Sequence, residues 1–562
     1  MKTETRNPKA EGSPKPEVRS PSPKPATCRR SSPLVFHAGC GVPSADLRPQ
    51  LIPFGIRISA FLRPSGFGLR VLPLLFLLLA GCAVGPNYQR PAALGTNALP
   101  ASFAGVTATN AGDWKPAQPS AHLPRGSWWE LFGDPVLNRL EGLATTNNQQ
   151  LAAAYANIQQ ARALVSVARA DYFPQVSADP SATRQRLSAN QSAGAGSSSQ
   201  GQTFNSFSVP LDASWELDLW GRVRREVQGA RARLAASADD LESSKLAILA
   251  EVASDYFSLR SLDAQYQLLE ETAVAYRRSL ELTQNRRNSG IATDLDVSQA
   301  ETQLATTEAQ IPAVQLQRAT FLHALAVLCG QPAPAFDLNA TKGALAAAKG
   351  AFDAGPGIPV AVPSELLERR PDISAAERRM AAANADVGVA CAAFFPSITL
   401  NGLAGYQSVN TGTLFNWDSR VWSVGPSLAL PLFTGGRNRA QLAAARAAYD
   451  AAVANYRQTV LSAFQDVEDQ LAAQRLLAQQ TDKENSALKS ARRTLDISMT
   501  KYKGGVITYL DVVIAQSAAL ALEQTVVQLN GQRLAASVSL IKALGAGWTA
   551  DTAQAPASKQ QK

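Results

Sequence analysis

Two short stretches carry the residue types best placed to act: Gly290-Ile-Ala-Thr-Asp-Leu-Asp-Val297 and Gly505-Val-Ile-Thr-Tyr-Leu-Asp-Val512. In each, a threonine stands three residues before an aspartate, Thr293 before Asp296 and Thr508 before Asp511. That spacing lets a hydroxyl and a carboxylate cap the start of a helix reciprocally, and the negative charge favours the positive end of the helix dipole. The preceding Ser289-Gly290 and Gly504-Gly505 suit the left-handed turn that stops a helix. Little else promises covalent or metal chemistry. Beyond residue 81 the histidines are His122 and His323, without metal-ligand spacing. Phosphate-cradling glycine loops and a nucleophile elbow are absent from the sequence. The expectation is a protein without enzymatic activity, cofactor or metal.

What must position these turns is a repeat. Residues 290–297 match 505–512 at an offset of 215, which also aligns Gly221-Arg222 with Gly436-Arg437 and Arg277-Arg278 with Arg492-Arg493. Upstream, Tyr172-Phe173-Pro174 pairs with Phe394-Phe395-Pro396 at an offset of 222, so the first copy has seven more residues between its strands. The Ser/Gly/Gln-rich tract at 188–203 accounts for them as a surface loop. Two copies then run from about 135 to 330 and from about 364 to 546. Each reads as helix, strand pair, very long helix, tight turn and returning helix.

The long helices are expected at Arg222 to Asn288 and Arg437 to Lys503, each 67 residues without a proline. At about 1.5 Å per residue each would reach roughly 100 Å. Leu259, Leu262, Tyr266, Leu269, Ala273, Tyr276 and Leu280 alternate spacings of three and four, the seam of a coiled coil. Strands are expected at about 173–218 and about 394–433. Phe207, Val209, Leu211, Ala213, Trp215 and Leu217 alternate with Ser208, Asp212, Ser214 and Glu216, and Ile398, Leu400 and Tyr406 oppose Ser397, Thr399 and Asn401. Pro210 and Pro431 are expected to end their ladders early. With no apolar stretch of helix length after residue 81, the strands offer the route across a membrane, apolar face to lipid. A soluble sandwich would show the same alternation. Four strands cannot close a barrel, which needs about eight, so insertion implies oligomerisation.

Charge narrows the partners. The chain has 562 residues, a net charge of +9 and a pI near 9.3. Residues 1–81 hold 12 of the 54 Lys/Arg and 4 of the 45 Asp/Glu, leaving 42 and 41 from residue 82 onward. No basic face remains for nucleic acid. Arg63 and Arg70 precede Val71-Leu-Pro-Leu-Leu-Phe-Leu-Leu-Leu-Ala80, a run of export-signal character too short to span a bilayer as a helix. Leu79-Ala80-Gly81-Cys82 resembles the lipobox of bacterial lipoproteins, which implies lipidation of Cys82; Ala83 after it implies outer-membrane sorting. The alternative is an ordinary buried cysteine after a leader. Residues 1–62 are an extended basic leader or the product of an early start site, and in either case are expected to be absent from the mature chain. Cys28 and Cys40 fall in that segment, and Cys329 and Cys391 are isolated packing residues.

Cys82-Ala-Val-Gly-Pro-Asn-Tyr-Gln-Arg-Pro91, Trp128-Trp129-Glu-Leu-Phe-Gly-Asp-Pro135, Trp215-Glu-Leu-Asp-Leu-Trp-Gly-Arg222, Arg369-Arg370-Pro371-Asp372-Ile373 and Pro431-Leu-Phe-Thr-Gly-Gly-Arg437 together carry a family likeness. The chain resembles the TolC-type outer-membrane efflux proteins, in particular their lipidated NodT-like subgroup, over about 82 to 546. The resemblance implies a mainly α fold with a β-barrel part: a homotrimer whose twelve-stranded outer-membrane barrel continues into a periplasmic helical tunnel. It implies a passive conduit for small molecules, partnered by a periplasmic adaptor, an inner-membrane transporter of the resistance-nodulation-division type and outer-membrane lipid, with no nucleic acid.

By the same resemblance Asp511 falls at a gate aspartate, Asp296 is its first-copy equivalent, and Tyr502 matches a tyrosine that ties the closed mouth. A threefold ring of such carboxylates would favour cations. Ile507 and Ile514 stand where some members have a gate arginine and a second acid. The tips, Gly290, Ile291 and Thr293 with Gly505, Val506 and Thr508, are expected to touch the adaptor. A lipid-anchored coiled-coil structural or adaptor protein is the competing expectation. Residues 82–134 read as a lipidated N-terminal segment, 331–363 as a connection around the tunnel's girth and 547–562 as a disordered tail. Mass spectrometry of the mature chain should find an N-terminus at a lipidated Cys82; an unmodified chain retaining residues 1–62 would overturn the lipoprotein expectation.

Overall fold

A computed structural model of the chain describes residues 83–93, 126–186, 188, 203–340, 343, 350 and 370–546. The leader, Cys82, His122, most of 341–363 and the tail 547–562 lie outside the described residues.

Helices dominate, and their ends explain their lengths. Helix α1 (Pro135–Asn147) starts where Asp134 Oδ1 accepts from Val136 N and Leu137 N, with Pro135 at the first helical position. Asn148 caps α2 (Gln149–Ala170) and also donates from Nδ2 to Leu328 O at 2.8 Å. Helices α3 (Arg222–Asn288) and α4 (Asp294–Leu328) have 67 and 35 residues. After α5 (Pro371–Ala392), helices α6 (Arg437–Lys503) and α7 (Tyr509–Ala543) again have 67 and 35. All four of the paired helices end alike. Gly290, Gly330, Gly505 and Gly545 adopt φ of 72°, 66°, 72° and 84°. The amide after each glycine reaches back five residues, as Ile291 N does to Arg286 O and Val506 N to Lys501 O. Glycine supplies the left-handed conformation without a Cβ penalty.

Helix α3 packs along α4 and α5, and α6 along α7. Of the seam residues, Leu259, Leu262, Leu269, Ala273 and Tyr276 are buried, and Tyr266 and Leu280 partly so. The main core gathers Trp128, Phe132, Leu137 and Leu140 against Tyr256, Phe257, Leu325, Tyr456, Val460 and Ile541. One ion pair recurs at the 215 offset: Arg277–Glu308 at 2.5 Å joins α3 to α4, and Arg492–Glu523 at 2.6 Å joins α6 to α7. Arg370 is a joint. It grips Asp372, reaches Asp466 on α6 at 3.0 Å, and donates to Ala543 O at the end of α7. Arg260, Asp263 and Arg318 form a buried network that holds Leu338 O and Asn339 O, fixing the described part of the 331–363 connection. By length and composition α7 is apolar enough to cross a membrane, contrary to the expectation that no such span follows residue 81. It packs against α3, α4 and α6, but only 28% of its most apolar stretch is buried.

The sheet is antiparallel. Strands β1 (Gln175–Ala178) and β2 (Ser181–Arg186) both pair with β3 (Thr203–Glu216), β3 pairs with β4 (Ser397–Ser408), and β4 with β5 (Arg420–Ala429). The first strand expected in copy one is therefore two pieces, broken at Asp179-Pro180, where proline offers no amide to the ladder. Pro431 lies beyond β5, as expected, but Pro210 does not end β3. It pairs with Gly405, where a Cβ would sit 2.3 Å from Val209 O. The missing side chain lets the two strands stay close.

Residues 83–93 form a strap across both repeats. Val84 N donates to Trp220 O at 2.9 Å, and Arg225 of α3 donates to Gly85 O and Asn87 Oδ1. Asn384 of α5 donates to Pro86 O, and Gly85 presses on Gly388, where a Cβ would meet Gly388 Cα at 2.7 Å. Arg90 pairs with Glu377 at 3.3 Å and donates to Tyr456 of α6. Cys329 is buried and Cys391 half-buried, and neither is in a disulfide among the described residues.

Glu141 on α1 is fully buried, and among the described residues neither carboxyl oxygen has a hydrogen-bond partner. Burial raises its pKa well above the ordinary carboxylate range, and burial, with Glu141 close by, pushes the Cys329 thiol up to about 11. Because the folded pKa lies above the unfolded one, stability is greatest below the unfolded value and falls as pH rises toward the folded value. Glu141→Gln should raise the melting temperature at pH 7 and lose that advantage below about pH 4. A pH-independent difference between the two proteins would contradict a buried, neutral Glu141.

Candidate functional site

Two regions stand out: the tips where the long helices turn back, and the two faces of the sheet. At the first tip Thr293 N and Oγ1 donate to Asp296 Oδ2 at 2.8 and 2.9 Å, and Asp296 N donates to Thr293 Oγ1. At the second, Thr508 N and Oγ1 donate to Asp511 Oδ2 at 3.2 and 2.9 Å. Both aspartates thus cap returning helices; Asp296 is half-buried and Asp511 exposed. Ile291 and Val506, equivalent residues, project from the turns and are 65% and 73% exposed.

The clasp that closes each turn differs between the copies. In the first, Arg287 at the end of α3 pairs with Asp294 at the start of α4 at 2.6 Å, both exposed. The equivalent residues at offset 215 are Tyr502 and Tyr509, whose rings meet edge to face at 5.2 Å and are buried. They pack with Ala300 and Val512, bordered by Leu280, Met499, Ile507 and Val513. Ile507 thus contributes to packing, and Ile514 is exposed.

The two tips are also tied together. Arg286 Nη1 donates to Lys503 O at 3.1 Å while its guanidinium lies 4.9 Å from the Tyr502 ring centre. A cation at the C-terminus of α6 satisfies a terminal carbonyl and its dipole. Tyr502 OH reaches Thr283 Oγ1 at 3.5 Å, and Ser279 and Tyr509 share a hydrogen bond of 3.1 Å. Burial raises the Tyr509 pKa. The sequence reading singled out Tyr502 but missed Arg286 and Tyr509; aligning the copies residue by residue exposes the exchange of Arg287–Asp294 for Tyr502–Tyr509.

The sheet register sorts its side chains into two faces. Val176, Phe207, Val209, Leu211, Ala213 and Trp215 share one with Leu400, Ala404, Tyr406, Trp422, Val424 and Leu428. Ser177, Thr183, Ser206, Ser208, Asp212, Ser214, Glu216, Thr399, Asn401, Gln407, Ser423 and Ser427 lie on the other. The apolar side chains are open to the surroundings: Trp422 is 73%, Val424 68% and Leu428 66% exposed. Phe173, Phe394, Phe395 and Phe433 gather at the helix end of the sheet, and Tyr406, Phe415 and Trp417 at the far end. From Phe395 to Tyr406 a strand tilted as in membrane barrels climbs about 25–30 Å, the height of an apolar band between aromatic girdles. Among the described residues no cluster of His, Cys, Asp and Glu could hold a metal.

The family described as outer membrane efflux protein matches residues 140–331 and 362–546, and the chain belongs to it. It is 35% identical over 488 residues to outer membrane protein OprJ of Pseudomonas aeruginosa, covering 87% of this chain and 97% of that protein. It is 35% identical over 475 residues to the toluene efflux pump outer membrane protein TtgF of Pseudomonas putida, covering 84% and 96%. The outer-membrane channel OprN superposes with a TM-score of 0.71 at 30% identity, covering 83% of this chain and all of that one. The protein is therefore an outer-membrane channel component of an efflux system, mainly α with a β-barrel part and a helical tunnel below. The family is a transport conduit, and the coiled-coil adaptor alternative is set aside.

The contrast between the clasps has a measurable consequence. Tyr502→Ala removes a large buried ring, a loss of about 3 kcal/mol, and should speed amide exchange in the second tip by about 100-fold. Arg287→Ala removes an exposed pair and should speed exchange in the first tip by less than about 5-fold. Equal effects, read by hydrogen exchange mass spectrometry, would show that the clasps are energetically alike.

Proposed function

We propose that three copies of this chain close their sheets into one barrel and extend their helices into a periplasmic tunnel. Through it small molecules, drugs and toxic compounds pass outward without chemistry in this subunit. The observation that supports this most is the sheet itself, with one apolar face, one polar face and two unpaired edges. An edge in hydrocarbon leaves amides unsatisfied, and this sheet is too narrow to close alone. A ring of copies answers both demands. Delivery to the tunnel is assigned to an inner-membrane transporter of the resistance-nodulation-division type through a periplasmic adaptor. The exposed Ile291 and Val506, with Gly290, Thr293, Gly505 and Thr508, are the adaptor contact in this reading.

Cys82 is the lipid site. Its neighbour Ala83 packs against Gly221 at the helix end of the sheet, where a membrane surface would lie. Asp296, Asp511 and Tyr502 form the periplasmic gate, Asp296 and Asp511 as carboxylates at the mouth and Tyr502 through its contacts with Arg286 and Thr283.

Capping and gating are separable. Asp511→Asn keeps a cap acceptor but removes the charge, so in planar bilayers conductance should rise and cation preference should fall. Thr508→Ala should cost about 1 kcal/mol of helix-start stability and leave selectivity as it was. Unchanged selectivity and conductance in Asp511→Asn would remove that carboxylate from the gate.

A further inference from the structure

At its outer margin the apolar face of the sheet turns cationic. Register sets Arg184 opposite Asn205 and Arg186 opposite Thr203, just past the Ala182–Phe207 pair and on that same face. On the other edge Arg420 lies opposite Tyr406, again on the apolar face. Its guanidinium stacks 3.8 Å from the centre of the Trp417 ring. All three arginines are exposed, and among the described residues none forms an ion pair. The nearby carboxylates are Asp179, which accepts from Ser177, and Asp418, which pairs with none of them.

A guanidinium on a lipid-facing strand is costly at the bilayer midplane and nearly free at the interface. Three of them at one end of the apolar band, the end that also carries Tyr406, Phe415 and Trp417, therefore mark the headgroup level of the outer leaflet. The anion present at that level is phosphate. Arginine meets it with a planar fork of donors, and an aromatic ring beneath the guanidinium holds the fork in place without consuming a donor.

We propose that Arg184, Arg186 and Arg420, the last braced by Trp417, form a rim that binds the phosphate of a phosphorylated lipid headgroup in the outer leaflet. The rim rests on the reading that the apolar face meets lipid. Strands β2 and β5 carry the two free edges, so closing the barrel sets Arg420 of one copy beside the strand that bears Arg184 and Arg186 of the next. Each junction between copies then gathers the three cations on one surface.

Purified full-length protein in detergent, offered equal amounts of a diphosphorylated glycolipid and its dephosphorylated form with the same acyl chains, tests the rim by native mass spectrometry. Wild type should retain the phosphorylated form at least about tenfold better. The R184Q/R186Q/R420Q variant should bring that ratio to about one, and Trp417→Leu should lower it several-fold. A ratio near one in wild type, an undiminished ratio in the triple variant, or displacement of the lipid by millimolar inorganic phosphate overturns the proposal. Single-channel conductance of the same preparations separates the two readings. Channels without phosphate preference overturn the rim alone, whereas a wild type that forms no channels overturns the barrel and the rim with it.

Discussion

A strand edge cannot be left unpaired in hydrocarbon, and this constraint orders the rest of the molecule. β1, β2 and β5 each spend one side on a neighbour and leave the other open. The apolar face makes water a poor environment and the open edges make lipid a poor one for a single copy. The helical body must therefore present each sheet at a fixed height and angle to its neighbours. It does so through two arms of equal length, 67 residues down and 35 back, in each repeat. Equal arms bring both tips to one level, where Arg286 joins them.

Much of this could be read from the sequence because it is local. Proline-free runs and the glycines at 290 and 505 bound α3 and α6, and the Thr-x-x-Asp spacing announced both caps. The alternation in β3 and β4 named the two faces, and the register confirms which residues share them. What escaped depends on partners distant in sequence. Pro210 stays in its ladder because position 405 is a glycine. Arg370 has meaning only once Asp466 and Ala543 are beside it. Glu141 looks like an ordinary surface acid on a short helix until the core closes over it. The break between β1 and β2 is local by contrast, since Pro180 itself marks it.

Duplication has not kept the two halves equivalent. The matched ion pairs, Arg277–Glu308 and Arg492–Glu523, preserve the ancestral spacing along the arms. The tips have diverged, one held by an exposed ionic clasp and the other by buried aromatic rings. An exposed pair is screened by salt and loosely held, whereas buried rings resist both salt and solvent. The first turn is thus built to yield before the second, although the backbone of the two turns is the same.

The strap at residues 83–93 imposes an order on folding. It is the first stretch of the described chain to be made, yet its partners Glu377 and Tyr456 lie 289 and 366 residues further along. Before the second repeat exists it can hold only Trp220 and Arg225 of the first, so its full seating comes last, against the direction of synthesis. A chain cut short before Glu377 would hold its strap by the first repeat alone. Full seating of the strap thus reports completion: the segment is fixed to both repeats only once the second is in place.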